Sequence, residues 1–261
     1  MGNFADINKR LIIGIIFIAI VILSGHFGGA NGFMALFILL MAICAYEWAK
    51  LCKLDGIWPK IYSFVFVLFI LIMSQHLIIY PVLSFILPLL IITHLIFNNI
   101  KIALTTGIVY LSVATMSVFY SFNTITKVWW HPITTIWLTV IFVDIGAYIV
   151  GRIVGGKKLA PKISPGKTVS GFLGGILIGS LIFTYLIAGY NYDFFVFLVG
   201  IILSTVAQIG DLYQSFMKRR VDVKDSGSIL PGHGGMFDRL DGLIMVLAFI
   251  PFPILIYYFG A

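Results

Sequence analysis

Charge is what this chain has least of. Asp, Glu, Lys and Arg make up 10% of its 261 residues, and from Ile61 to Ile100 there is none. A soluble domain is excluded, because such domains are about 45–50% apolar and this chain is 61% hydrophobic with a mean hydropathy of +1.08. One bilayer span needs about 20 apolar residues, so the uncharged run fits two helices back to back. The apolar/polar alternation of a membrane β-barrel, in segments of about ten residues, is absent. Cysteine is scarce too: only Cys44 and Cys52 occur. They read as small buried or interfacial residues, since a disulfide needs an oxidising face and both fall near the expected cytoplasmic one. Internal repeats and low-complexity tails are lacking as well.

The fold class that remains is all-α and polytopic. Apolar segments end near residues 24, 48, 79, 97, 120, 150, 188, 212 and 259, which makes nine spans. A Gly-rich turn over Gly25–Gly29 separates the first two. Lys9 and Arg10 stand before the first apolar run as they would in a signal peptide, but so many spans follow that the run reads as span 1. The net charge of +7 marks a cytoplasmic face rather than nucleic-acid binding. With the N-terminus inside, Lys127 is the one cation of 17 that falls outside, so the C-terminus is expected outside. Residues 1–102 then carry spans 1–4 and residues 103–261 carry spans 5–9. The charged loops 151–170 and 213–239 share the cytoplasmic face, where two segments distant in sequence can build one site.

The scarce charges are concentrated. Asp211, Lys218, Arg219, Arg220, Asp222, Lys224, Asp225, Asp238, Arg239 and Asp241 fall within 31 residues. An ionised carboxylate within a span is costly unless it is paired or faces water. That rule selects Asp144 inside span 6, Asp211 near the end of span 8, and Asp238 and Asp241 at the start of span 9. Asp238 and Asp241 are three apart and share a helical face, as do Asp211, Ser215 and Lys218. Clustered carboxylates suit Mg2+, which takes oxygen ligands and leaves room for water and phosphate; the alternative is structural ion pairing with Arg239, Lys218 or Arg152. Lys167, Lys218, Arg219, Lys224 and Arg239 suit phosphate, with Arg220 and the Lys157–Lys158 pair read as headgroup anchors. Pro231-Gly232-His233-Gly234-Gly235 forms a turn before span 9, where backbone N–H groups and a helix N-terminus favour anions. His233 reads equally as an acid/base, a phosphate donor or a hydrogen-bonded loop histidine. Gly166-Lys167-Thr168 is no P-loop, because Pro161 stands where that motif needs Gly.

Ser215 to Asp241 resembles the phosphatidate cytidylyltransferase family, the CDP-diacylglycerol synthases. The family pattern is met at Ser215, Lys218-Arg219, Lys224-Asp225, Gly227, Pro231, His233-Gly234-Gly235, Asp238-Arg239 and Asp241. A second segment matches at Asp144, Gly146-Ala147-Tyr148, Gly151-Arg152, Pro161, Ser164-Pro165, Lys167-Thr168 and Gly171. It departs at Ser170, where the family often has Glu, and at Gly166, where it often has Lys.

The resemblance implies transfer of CMP from CTP to phosphatidate, with pyrophosphate released, in a bacterial plasma membrane; the chain is compact and shows no long N-terminal extension. It implies Asp211, Lys218, Asp238 and Asp241 as catalytic residues. Asp211, Asp238, Asp241 and Asp144 would hold Mg2+, with a second cation left open. Lys167, Ser215, Arg219, Lys224, His233, Gly234, Gly235 and Arg239 would bind substrate. Membrane lipids and a second copy of the chain, as a homodimer, are the implied partners, and no nucleic acid is. The rivals are a CTP-dependent lipid-alcohol kinase and a secondary transporter; the absence of inverted repeats argues against the latter.

Overall fold

The computed structural model describes residues 4–76, 79–97, 99–124, 130–189, 193–229 and 234–249. Eight helical segments and one short hairpin make up those residues. In chain order they are α1 (Phe4–Leu51), α2 (Trp58–Met73), α3 (Ile79–Ile96), α4 (Ile100–Thr124), α5 (Trp130–Val154), β1 (Lys158–Ala160), β2 (Ser164–Thr168), α6 (Val169–Ala188), α7 (Phe194–Arg220) and α8 (Phe237–Phe249). Among the described residues, five stretches are long and apolar enough to cross a membrane: Leu23–Leu51, Ile100–Ser121, Ile133–Val154, Val169–Ala188 and Phe194–Arg220. Two shorter apolar helices accompany them. The chain is an all-α membrane protein; most of the ninth expected apolar segment, beyond Phe249, lies outside the described residues.

Three local features differ from the sequence expectations. The turn expected over Gly25–Gly29 is a break at Gly29 alone, with φ 57° and ψ −149°, and the helix continues on both sides of it. Helix α7 runs eight residues past the expected end of span 8. Its 27 residues make about 40 Å at 1.5 Å per residue, against about 30 Å of hydrocarbon. The helix is thus about 10 Å longer than the hydrocarbon is thick, and its charged final turns remain helical. Lys218, Arg219 and Arg220 lie in the final turn, where cations complement the helix dipole. Finally, the basic loop after span 6 folds into an antiparallel hairpin in which Lys158 pairs with Thr168 and Ala160 with Ser164.

Helices α5 and α6 pack closely because small residues line the seam, a device of membrane helices that lets backbones approach. A Cβ on Gly171 would lie 2.6 Å from the Ala147 carbonyl oxygen, and one on Gly175 would lie 2.8 Å from that of Val143. Thr168 caps α6 by accepting from the Gly171 N–H at 3.1 Å. The chain thus passes from the hairpin into α6 at a fixed angle.

A second cluster joins the N-terminal helices to the rest. Trp48, fully buried, donates from its indole N–H to the Ala103 carbonyl at 3.0 Å. It also packs against Tyr110, Tyr213 and Phe237. Arg220 does not reach outward as a headgroup anchor. It donates to the carbonyls of His94 and Leu95 at 2.9 and 3.1 Å, satisfying the open C-terminal end of α3. One hydrophobic core therefore runs through α1, α4, α7 and α8.

Candidate active site

The hairpin, α5, α6, α7 and the start of α8 enclose a cavity of about 740 Å3. Its charged lining is balanced. Asp144, Asp211, Asp238 and Asp241 face Arg152, Lys158, Lys167 and Lys218. A site of one sign would favour a bare anion or a bare cation, whereas equal numbers of both suit a polyphosphate together with a metal.

The two segments expected to meet do so. Lys167 on β2 forms an ion pair with Asp211 on α7, and Arg219 on α7 donates to the Ile163 carbonyl in the hairpin at 3.2 Å. Asp211 is also approached by the Ser215 hydroxyl at 3.3 Å, one helical turn on. Ser215 is buried, lies beside Asp211 and is not among the side chains lining the cavity. Asp144 interacts electrostatically with Asp211, Lys167 and Arg239. Asp241 does so with Asp211, Asp144 and Lys167.

Asp238 is engaged differently. Its Oδ1 accepts from Lys218 at 2.8 Å and from Gln214 at 3.1 Å. Its Oδ2 accepts from the backbone N–H of Ser226 at 2.8 Å and of Gly235 at 2.9 Å. A carboxylate has about four lone-pair directions, and here all four are taken. Burial raises the Asp238 pKa, but the Lys218 hydrogen bond and charge and the two N–H donors outweigh it. The carboxyl is held below its ordinary value of 3.8.

The Gly-rich turn is correspondingly committed. The Gly235 N–H donates to Asp238, so it is not turned toward a phosphate as the sequence suggested. Gly234 has φ +81°, and a Cβ there would lie 2.8 Å from Asp238 Oδ2. Glycine at this position serves a left-handed backbone and a close approach. Lys224 sits exposed on the loop and, like Arg219, is not among the lining side chains. Arg219 spends its guanidinium on Ile163 and Val223 carbonyls. Arg239 is exposed at the start of α8. His233 lies outside the described residues.

Sequence reasoning missed Glu47. This α1 carboxylate is 1% exposed and accepts from the Ser226 hydroxyl, the Met236 N–H and the Phe237 N–H at 2.8–3.0 Å. Its signal was present: a lone acidic residue at the end of an apolar span is as unusual as Asp144.

The donor chemistry fits Mg2+, which takes oxygen ligands, keeps several waters and is held by one or two carboxylates plus substrate phosphates. The carboxylates line one cavity but are not drawn together. Among the described residues no three His, Cys, Asp or Glu side chains form a group that holds an ion.

A sequence profile of the cytidylyltransferase family matches residues 8–259. The chain belongs to that family. Within the curated cytidylyltransferases, a phosphatidate cytidylyltransferase of Bacillus subtilis (strain 168) is 46% identical over 125 residues, 47% of this chain and 45% of that protein. One from Staphylococcus haemolyticus (strain JCSC1435) is 44% identical over 120 residues, 45% of each chain. One from Brucella suis biovar 1 (strain 1330) is 47% identical over 121 residues, 45% of this chain and 42% of that protein. The chain thus matches somewhat less than half the length of these cytidylyltransferases.

Proposed function

We propose that this cytidylyltransferase-family chain is a phosphatidate cytidylyltransferase, joining CTP and phosphatidate to give CDP-diacylglycerol and pyrophosphate. The observation that carries the reading is the charge-balanced cavity at the ends of apolar helices. It offers a polar chamber for a nucleotide beside a lipid-facing exterior from which an acyl-bearing substrate enters sideways. The names of the relatives support the same activity.

The lipid phosphate oxygen attacks the α-phosphorus of CTP in line, and pyrophosphate leaves. The protein's part in such a transfer is positioning and neutralisation of charge. Lys167 and Lys218, now paired with Asp211 and Asp238, exchange those partners for substrate phosphates. Arg239 adds charge at the rim, and Arg219 and Lys224 attract the triphosphate from outside the cavity. Asp211, Asp241 and Asp144 would hold Mg2+, with Asp238 as a further ligand in place of its bond to Lys218; bound there, Mg2+ would neutralise charge on the triphosphate and the leaving pyrophosphate. A second cation is accommodated by the same oxygen-rich wall.

The membrane arrangement we infer has nine spans, the N-terminus in the cytoplasm and the C-terminus outside, in a bacterial plasma membrane. The ends of α1 and α3 meet the α7–α8 segment, as three cytoplasmic loops on one face would. The working unit is a homodimer among membrane lipids.

The test uses purified protein in detergent with phosphatidate, Mg2+ and CTP labelled at the α or the γ position. Label from the α position in lipid, with γ label in pyrophosphate, is expected. The γ label in lipid would mean a kinase, and neither label in lipid, beside an active control, would return the transport reading.

A further inference from the structure

Glu47 has no part in the chemistry proposed above, yet among the described residues it is the carboxylate least exposed to water, at 1%. A buried carboxylate persists only when its oxygens are satisfied. Its partners are all on the other side of the molecule from its own helix in sequence. Oε1 accepts the Met236 N–H at 3.0 Å, and Oε2 accepts the Phe237 N–H at 2.8 Å and the Ser226 hydroxyl at 2.9 Å. Phe237 is the first residue of α8. The unpaired N–H groups that open any helix are thus met here by a side chain from α1, and the helix dipole favours its negative charge.

The residues around Glu47 are shaped to it. A Cβ at Gly227 would meet Oε1 and would lie 2.9 Å from Cδ; one at Gly235 would lie 2.5 Å from Oε2 and 2.7 Å from Cδ. At Gly227 the carboxylate fills the space a side chain would need, and at Gly235 the Ser226 hydroxyl and the carboxylate fill it together. Ser226 is held at both ends, its hydroxyl by Glu47 and its N–H by Asp238. The Glu47 and Asp238 carboxylates therefore grip one loop from opposite sides. The start of α8, which carries Asp238 and Arg239 in its first turn and Asp241 just beyond, lies where Glu47 bonds to it.

We propose that Glu47 is a positioning residue: from α1 it caps α8 and fixes Asp238 and Asp241 relative to Asp211 and Lys167. This rests on the reading that these residues transfer a cytidylyl group. Misplacement of reacting groups by about 1 Å costs on the order of 100-fold in rate, so the effect belongs in turnover rather than in capture of the lipid.

The test compares the wild-type chain with Glu47→Gln, Ser226→Ala, Gly227→Ala and the Glu47→Gln/Gly227→Ala pair, each purified in detergent and normalised to folded protein. Glu47→Gln is expected to lower kcat by about 10- to 100-fold with the KM for phosphatidate unchanged. Amide exchange at Met236 and Phe237 is expected to speed up. Ser226→Ala, which removes one of the three bonds, is expected to do the same more weakly and serves if Glu47→Gln does not fold. Gly227→Ala is expected to cost less in the Glu47→Gln background than alone, because neighbours in contact are non-additive. Wild-type kcat per folded molecule in both Glu47→Gln and Ser226→Ala, or unchanged exchange at Met236 and Phe237, would overturn the proposal. A wild-type chain that makes no CDP-diacylglycerol would instead overturn the function, and the exchange rates would still decide whether Glu47 holds α8.

Discussion

Lys167 and Asp211 lie 44 positions apart and form an ion pair that ties the hairpin to α7 across the mouth of the cavity. Both side chains are partly exposed, at 24% and 31%, so the pair contributes little to stability. Its value lies in holding an ammonium where a triphosphate would arrive. Lys167→Met is therefore expected to leave the thermal midpoint in detergent nearly unchanged. The KM for CTP should rise by about 10- to 100-fold, the worth of a hydrogen bond to a charged group. An unchanged KM would remove Lys167 from the nucleotide site.

Asp238 makes the opposite prediction, because it is half-buried and fully bonded. Its carboxyl is held below 3.8 in the folded protein. A depressed carboxyl stabilises the fold fully above its unfolded value, and that contribution is lost as pH falls through the folded one. The thermal midpoint should hold from neutral pH down to about the ordinary carboxylate range and then fall. Asp238→Asn should abolish turnover and also lower stability at neutral pH by about 1–3 kcal/mol, since the amide leaves donors unmatched. It should lack the acid-dependent increment seen in the wild type. Thermal unfolding of both proteins across pH 3–7 checks the sign.

The long apolar runs are legible because lipid demands them; the positive charges assign loops 151–170 and 213–239 to one face, and the contacts that join them, Lys167 to Asp211 and Arg219 to Ile163, are not encoded in that bias. The roles within the site were less legible. Side-chain identity names Asp238 as a ligand and Gly235 as a phosphate donor, but the Gly235 N–H donates to Asp238, whose other acceptor positions are taken by Lys218, Gln214 and Ser226. Ser215 fell on the right helical face and was turned to Asp211. Those outcomes depend on which neighbour fills a lone pair first, and spacing does not encode that. Glu47 is the instructive case. The rule that drew attention to Asp144 applied equally to it, but its partners lie 179 to 190 residues away, beyond any local pattern.

The seam between α5 and α6 yields a stability test. At Gly171 an added methyl would press on the Ala147 carbonyl and, at 3.1 Å, on Gly151 Cα and Thr168 Oγ1. Two of those atoms are backbone and cannot rotate away. Gly171→Ala is expected to cost about 1–3 kcal/mol, as overpacking does, and to lower activity by displacing the hairpin. Gly166→Ala is the matched control, since nothing lies within 4 Å of its Cβ position. Thermal unfolding of the two variants should separate them. Equal midpoints would mean that the helices pack less closely than the geometry shows.

The membrane orientation makes the last prediction. Glu47 near the end of α1 bonds to Ser226 and Met236 in the segment after α7, and Arg220 at the end of α7 bonds to the carbonyls of His94 and Leu95 at the end of α3. Helix ends that bond to one another are expected at one depth, and the hairpin after α5 is tied to α7 by Arg219 and Lys167, so the inferred arrangement puts the segments after α1, α3, α5 and α7 on one side. Those segments, with the N-terminus, carry every cation except Lys127, and the cytoplasmic side is the one that retains Lys and Arg. A reporter fused after Ala261 should then read as non-cytoplasmic, while one inserted in the exposed loop after Asp222 should read as cytoplasmic. If both report the cytoplasm, the chain crosses an even number of times and the last apolar segment does not span. If both are reversed, the charge bias has been overridden and the site would open away from the cell's supply of nucleoside triphosphate.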